Sequence, residues 1–171
     1  MSHDTSGITG EIHVVLTGPD GEIKAEHHGK NIITAVGDQY YAGRAALASS
    51  LPAQVTGMKL GTGSVTGAGN LPAKTGTGAA LTGYLAGSNK ANDSGFPTAS
   101  GGVVTWKRTY APGEATSASP VTEVVLVTEA IANDDTSTAA ETIARAAISG
   151  VAAKAAGDTL TITWTHTLLG A

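Results

Sequence analysis

The side chains of this sequence that could bind a metal ion or catalyse a reaction are histidines and carboxylates. His27 and His28 are adjacent and could begin a metal site, since imidazole nitrogens bind zinc. Adjacent residues of a strand point to opposite faces, so this pair cannot easily bind one ion. His13 is expected in an earlier strand, on the same face as Glu11 and Val15. We therefore interpret the pair as a solvated strand end and expect no metal-binding residues.

His166 belongs to the apolar side of an alternating run near the end of the chain. No carboxylate or second histidine stands at a ligand spacing from it, so a hydrogen-bonded histidine in the core or an interface is favoured over a metal ligand. If an interface buried His166, its protonation would make it a pH sensor.

Carboxylates at strand ends could act in pairs, as they do in glycosidases. The candidates are Glu114, Glu123, Glu129 and Glu141. The sequence indicates no aromatic-lined cleft to hold a sugar ring, so this role is disfavoured. The run Asn133-Asp134-Asp135 could contact Ca²⁺, but it lacks the spaced acidic pattern and closing glutamate of a known calcium loop. We interpret that run as a solvated turn.

Two glycine-rich runs, residues 61–69 and 75–83, are superficially similar to phosphate-binding loops. Neither has Lys-Ser/Thr after its last glycine, and neither has the spacing of a dinucleotide-binding turn. No G-x-S-x-G motif is present either. The sequence thus predicts no catalytic residue, no cofactor-binding residue and no cofactor, and we expect that the protein is not an enzyme.

The strongest structural signal is the run 158–169, whose residues alternate between threonine and mostly apolar side chains. Successive side chains of a strand point to opposite faces, so one face of this strand is threonine and the other is apolar. The threonines are Thr159, Thr161, Thr163, Thr165 and Thr167. Such a strand is typical of an antiparallel sheet that packs one face on a core. The threonine face is a candidate contact surface.

The remaining pattern predicts an all-β protein, an antiparallel sandwich or a jelly-roll-like barrel with one short helix. We expect a flexible arm over residues 1–10 and a single β-rich domain over 11–171. The predicted strands are 11–17, 22–28, 55–60, 102–110, 121–129, 141–149 and 159–169, and the predicted helix is 38–50. A helix over 142–156 remains an alternative. Residues 61–97, rich in Gly and Thr, are predicted to be an extended loop or arm that wraps over a neighbour.

Composition excludes several functions for this chain of 171 residues. The net charge is −4 with 14% charged residues and no basic cluster, which argues against binding nucleic acid. The N-terminus has no secretory signal. No apolar run is close to the length of about 18 residues that a membrane-spanning helix needs. We expect a soluble protein. Because large apolar side chains are few, we also expect self-association to contribute stability.

Several motifs together resemble small virion structural proteins of tailed bacteriophages. They are KNIITAVGDQYYAGRAAL (30–47), MKLGTG (58–63), WKRTYAPGEAT (106–116), TEVVLV (122–127) and DTLTITWTHTLL (158–169). In such proteins a segment of the N-x-I/V-T type leads into a helix, and a terminal TLTITW strand closes a sheet. The resemblance covers most of the chain except residues 1–10 and the middle of 61–97.

The resemblance implies a non-enzymatic subunit that binds the major capsid protein or other virion proteins. The favoured role is a decoration (cement) protein, which would be made in the host cytoplasm and would form a homotrimer on the capsid surface of the virion. The alternative role is a tail or fibre-attachment component. A third possibility is a host-glycan-binding module, which needs exposed aromatic side chains such as Tyr84, Trp106 or Tyr110.

Overall fold

The computed structural model describes residues 7–67 and 69–168 and contains two antiparallel sheets of five strands each. The strands are β1 (Ile8–Thr17), β2 (Ile23–Lys30), β3 (Ile32–Ile33), β4 (Gly57–Gly61), β5 (Lys90–Ala91), β6 (Thr98–Ser100), β7 (Val103–Tyr110), β8 (Glu123–Val127), β9 (Thr142–Ala147) and β10 (Thr159–Leu168). The first sheet has the order β2-β1-β10-β7-β6, and the second has the order β3-β9-β8-β4-β5. The predicted all-β class with antiparallel sheets is confirmed. The helical alternative for 142–156 is wrong, because β9 lies there.

The core lies between the two sheets. In β1 and β10, alternate residues are buried, and Val14 is paired with Ile162 in the sheet. Trp164 of β10 is opposite Trp106 of β7, and both indoles are buried. The second sheet contributes Met58, Leu60, Val124, Leu126, Ala144 and Ala146 to the same cluster. These two buried indoles are the largest side chains in a core that has few large ones.

The hairpin of β1 and β2 is closed by the turn predicted at residues 18–21. Gly21 has a φ of +85°, a conformation that glycine adopts without steric cost. The backbone N–H of Gly18 donates to the carbonyl of Glu22 at 2.8 Å. A register shift between Leu16 and Thr17 then sets which residues of β1 and β2 are opposite each other.

The helix α1 (Ala35–Ala46) begins at Ala35 rather than at the predicted Asp38, and it ends before the predicted Ser50. Its start is fixed by Thr34, whose hydroxyl accepts a hydrogen bond from the N–H of Gly37 at 3.0 Å. The same hydroxyl donates to the carbonyl of Thr142 at 2.6 Å, which ties the cap to β9. A side chain at Gly37 would collide with the carbonyl oxygen of Ile143, so α1 packs closely beside β9.

The middle of the 61–97 segment lies over the outer face of the second sheet of the same chain, whereas Asp93 near its end accepts hydrogen bonds from Thr109 of β7 in the first sheet. The segment contains a 3₁₀ turn, Gly76–Ala79, and the short strand β5. Leu81 and Tyr84 of this segment pack on Val125 and Val127 of β8. Every residue of β4 and of β8 is therefore buried. The expected arm over 1–10 lies partly outside the described residues, and its part from Ile8 to Gly10 is in β1.

Candidate functional site

The outer face of the first sheet is the candidate site, because its threonines remain partly or fully exposed. We define the threonine face as Thr9, Thr17, Thr98, Thr105, Thr109, Thr159, Thr161, Thr163, Thr165 and Thr167. Thr165 of β10 is opposite Thr105 of β7, which in turn is opposite Thr98 of β6. The alternation predicted for β10 therefore continues across neighbouring strands.

Chemically, this face offers hydroxyl donors and acceptors on a stiff, β-branched surface. Threonine side chains have restricted χ1 rotamers, so fixing them against a partner costs little conformational entropy. Charged groups are also present on the face, at Lys107 beside Thr163 and at Glu11 beside Thr165. Such a surface can form hydrogen bonds and close van der Waals contacts with another protein.

A histidine–carboxylate cluster lies at the β1–β2 side of the same face. His13 and His28 are opposite each other, and their rings stack with centroids 4.0 Å apart. Their Nε2 atoms lie 2.7 Å and 3.2 Å from the same oxygen, Glu26 Oε1. Hydrogen bonds from His13, then from His28, hold the pKa of the Glu26 carboxyl below its ordinary value.

The predicted separation of His27 from His28 agrees with the structure. His27 Nδ1 lies 3.4 Å from the backbone nitrogen of Ser149, away from the stacked pair. His28 instead joins His13, a residue that the sequence places in another strand. Finding this cluster from sequence needs the register of the hairpin, which the bulge at Leu16/Thr17 alters.

His166 is a hydrogen-bonded core residue, as one of the two alternatives predicted. Its Nε2 accepts the indole N–H of Trp164 at 2.9 Å, and its Nδ1 lies 2.5 Å from the Tyr41 hydroxyl. A neutral imidazole with Nε2 as acceptor carries its proton on Nδ1, which then donates to Tyr41. Burial lowers the pKa of His166 from 6.5 to about 3.

Buried ion pairs attach the covering segment to the second sheet. Arg145 Nη2 lies 2.7 Å from Glu123 Oε2, and both side chains are fully buried. Arg145 also donates to the carbonyl of Gly78, and Glu123 accepts from the backbone N–H of Thr82 and Gly83. These contacts connect β8 and β9 to the segment above them, and they offset the cost of burying the two charges.

A second buried ion pair joins Lys59 of β4, in the same sheet, to Glu129. Lys59 also donates to the backbone carbonyl of Asp135 at 2.9 Å. Our sequence interpretation missed both pairs. For Lys59, Glu123 and Arg145 the signal was a single charged residue within a mostly apolar strand, as in GMKLG, EVVLV and TIARAA, whereas Glu129 lies beyond the end of β8. Charged residues are seldom fully buried unless they are paired.

The four glutamates considered as glycosidase carboxylates each have another partner. Glu123 pairs with Arg145, and Glu129 pairs with Lys59. Glu114 accepts from Arg108 Nη2 at 2.5 Å, and Glu141 accepts from the hydroxyl of Thr138. These carboxylates therefore act in structural contacts. In the acidic run 133–135, Asp134 accepts from the hydroxyl of Tyr84 and the N–H of Gly87.

Two of the three aromatic residues considered for sugar binding are buried in the core. Trp106 is 2% exposed and Tyr110 is fully buried. The Tyr110 hydroxyl donates to backbone carbonyls of Met58 and Ser88. Tyr84 is held by Asp134, and desolvation raises its pKa to about 12. Of the residues proposed for glycan binding, only Tyr84 is partly exposed.

Within residues 7–67 and 69–168, no helix has the length and apolar character required to cross a membrane. Comparison with known proteins identifies no related protein. No model of a protein family matches the chain, and neither the curated proteins nor the solved structures contain a significant match.

Proposed function

We propose that this chain is a non-enzymatic virion structural protein of a tailed bacteriophage, and that it is a capsid decoration protein. The observation that carries the proposal is the difference between the two sheets. The outer face of the second sheet is covered by the chain's own 61–97 segment, whereas the threonine face of the first sheet is partly exposed across neighbouring strands. The motif resemblance to phage virion proteins supports the choice of partner.

The physical properties of the threonine face suit binding to an assembled protein lattice. Its strands are paired over their length, with β10 between β1 and β7, so the face is preorganised. A preorganised surface loses less entropy on association than flexible segments do. Hydroxyl groups can form hydrogen bonds with a partner without the desolvation cost that buried charges carry.

The mechanism we propose is mass action. A protein that binds the assembled shell but not its separated subunits stabilises the shell in proportion to its occupancy. Because closed symmetry places several copies around one axis, a homotrimer at a symmetric position of the head would bind through several faces at once. Light scattering of the purified protein tests the trimer directly.

Sedimentation with purified phage heads tests the binding face. We expect Thr163→Lys, at the centre of β10, to weaken binding by more than about tenfold, since a buried unpaired charge costs several kcal/mol. The matched control is Thr66→Lys, an exposed position in the segment that covers the second sheet. Equal binding by both variants would contradict the proposed face. Binding to purified tails but not to heads would support a tail or fibre-attachment component instead.

A further inference from the structure

We propose that His13, Glu26 and His28 form a binding site for a divalent transition-metal ion of the zinc class. The three side chains lie on the outer face of the β1–β2 hairpin, and their ligand atoms all lie within 4.8 Å of one another. The inference concerns these residues alone and does not depend on the proposed role in a virion.

The donor set matches the chemistry of zinc. Two imidazole nitrogens and one carboxylate oxygen are the ligands of many three-residue zinc sites, which leave one position for water. Ligands of a tetrahedral ion with bonds of about 2.0–2.1 Å are separated from one another by roughly 3.4 Å. Glu26 Oε1 lies 2.7 Å from His13 Nε2 and 3.2 Å from His28 Nε2. Small rotations of exposed side chains therefore create space for the ion.

The backbone already positions the ligands. His13 and His28 are a cross-strand pair, and Glu26 precedes His28 by two residues, so all three project from the same face. The two imidazole rings stack nearly parallel, at 11°, and the Nε2 atom of each lies within hydrogen-bonding distance of the same oxygen of Glu26. Two neighbouring strands of a paired sheet thus supply ligands without any loop that must be ordered on binding.

The site is open to an ion from solvent. The side chains of His13, Glu26 and His28 are 38%, 47% and 69% exposed. A groove of about 240 Å³ passes beside His28 and is lined in part by Glu11 and Lys30. A fourth donor, such as water, would complete the coordination of a bound ion.

Calorimetric titration of the full chain with zinc chloride tests the site. We expect one ion per chain, and each of His13→Ala, Glu26→Gln and His28→Ala should reduce affinity by at least about tenfold, since even residues that only support metal ligands cost that much. The control is His27→Ala, which removes an adjacent histidine that contacts Ser149 instead. An absence of zinc binding, or an equal loss in His27→Ala, would overturn the proposal.

Thermal unfolding separates loss of the site from loss of the fold. Without metal, the variants should melt close to the wild-type protein because these side chains are exposed at the surface. Zinc should raise the melting temperature of the wild type and of His27→Ala, but not that of His28→Ala. Magnesium should have no effect, because it prefers oxygen ligands in an octahedral arrangement. An equal zinc-induced shift in all variants would contradict binding at this cluster.

Discussion

At the scale of the residue, His166 is held uncharged in the core. Trp164 donates to one ring nitrogen, Tyr41 contacts the other, and desolvation lowers the pKa of the imidazole to about 3. The unfolded chain, with a histidine pKa near 6.5, therefore binds a proton that the folded chain excludes. The contribution of neutral His166 to the free energy of unfolding is complete above the pKa of the unfolded chain. It is lost as the pH falls from about 6.5 toward 3.

This linkage predicts that the folded state loses about 2 kcal/mol through His166 between pH 7 and pH 5. Urea denaturation at the two pH values measures the change. The variant His166→Gln should show a smaller decline over the same interval, whatever its own stability at pH 7. If the wild type and this variant decline equally, His166 is not the group that resists protonation.

The buried pair of Glu123 and Arg145 gives a second residue-scale prediction. Glu123→Ala should lower the free energy of unfolding by about 3–5 kcal/mol, because it leaves the Arg145 charge buried without a partner. The control is Lys74→Ala in the exposed pair of Lys74 and Asp38, which should cost at most about 1 kcal/mol. The double change Glu123→Leu/Arg145→Met should recover part of the loss. Equal costs for the buried and exposed changes, measured in urea, would contradict this role.

At the scale of the element, β10 separates two kinds of side chain on its two faces. Trp164→Ala should cost about 3–5 kcal/mol, because it removes a fully buried indole. The adjacent change Thr163→Ala should cost at most about 0.5 kcal/mol, as is usual for surface positions. Thermal or urea unfolding of both variants checks the difference. A large cost for Thr163→Ala would mean that the threonine face is part of the folded core.

The contrast between a buried face and an exposed face explains which strands the sequence predicts. Alternation identifies β1 and β10, whose two faces differ in environment. It identifies β8 as a strand but does not show that both its faces are covered, because the covering segment 61–97 has no periodicity of its own. The start of α1 was missed because Thr34 is recognised as a cap only through its contacts with Gly37 and β9.

Of the candidate sites, the threonine face follows from sequence, whereas the histidine cluster does not. The alternation of Thr159 to Thr167 places these side chains together on one strand regardless of its neighbours. By contrast, bringing His13 to His28 depends on the pairing of two strands, and a shift of one residue would move each side chain to the other face. Long-range register is a tertiary property that local patterns do not determine.

At the scale of the whole molecule, the outer face of one sheet is covered by its own chain, whereas the outer face of the other stays partly exposed. Buried ion pairs and the 61–97 segment cover β4 and β8 in the middle of the second sheet, and every residue of these two strands is buried. The first sheet presents a rigid array of hydroxyl groups. We infer that the protein functions by packing this array against a virion lattice.

Scanning calorimetry of phage heads with and without this protein tests that inference most directly. A decoration protein binds only the assembled shell, so saturating amounts should raise the melting temperature of the heads. Thr163→Lys should abolish this increase, while Thr66→Lys should preserve it. An unchanged melting transition in the presence of the wild-type protein would contradict the proposed role as a capsid decoration protein.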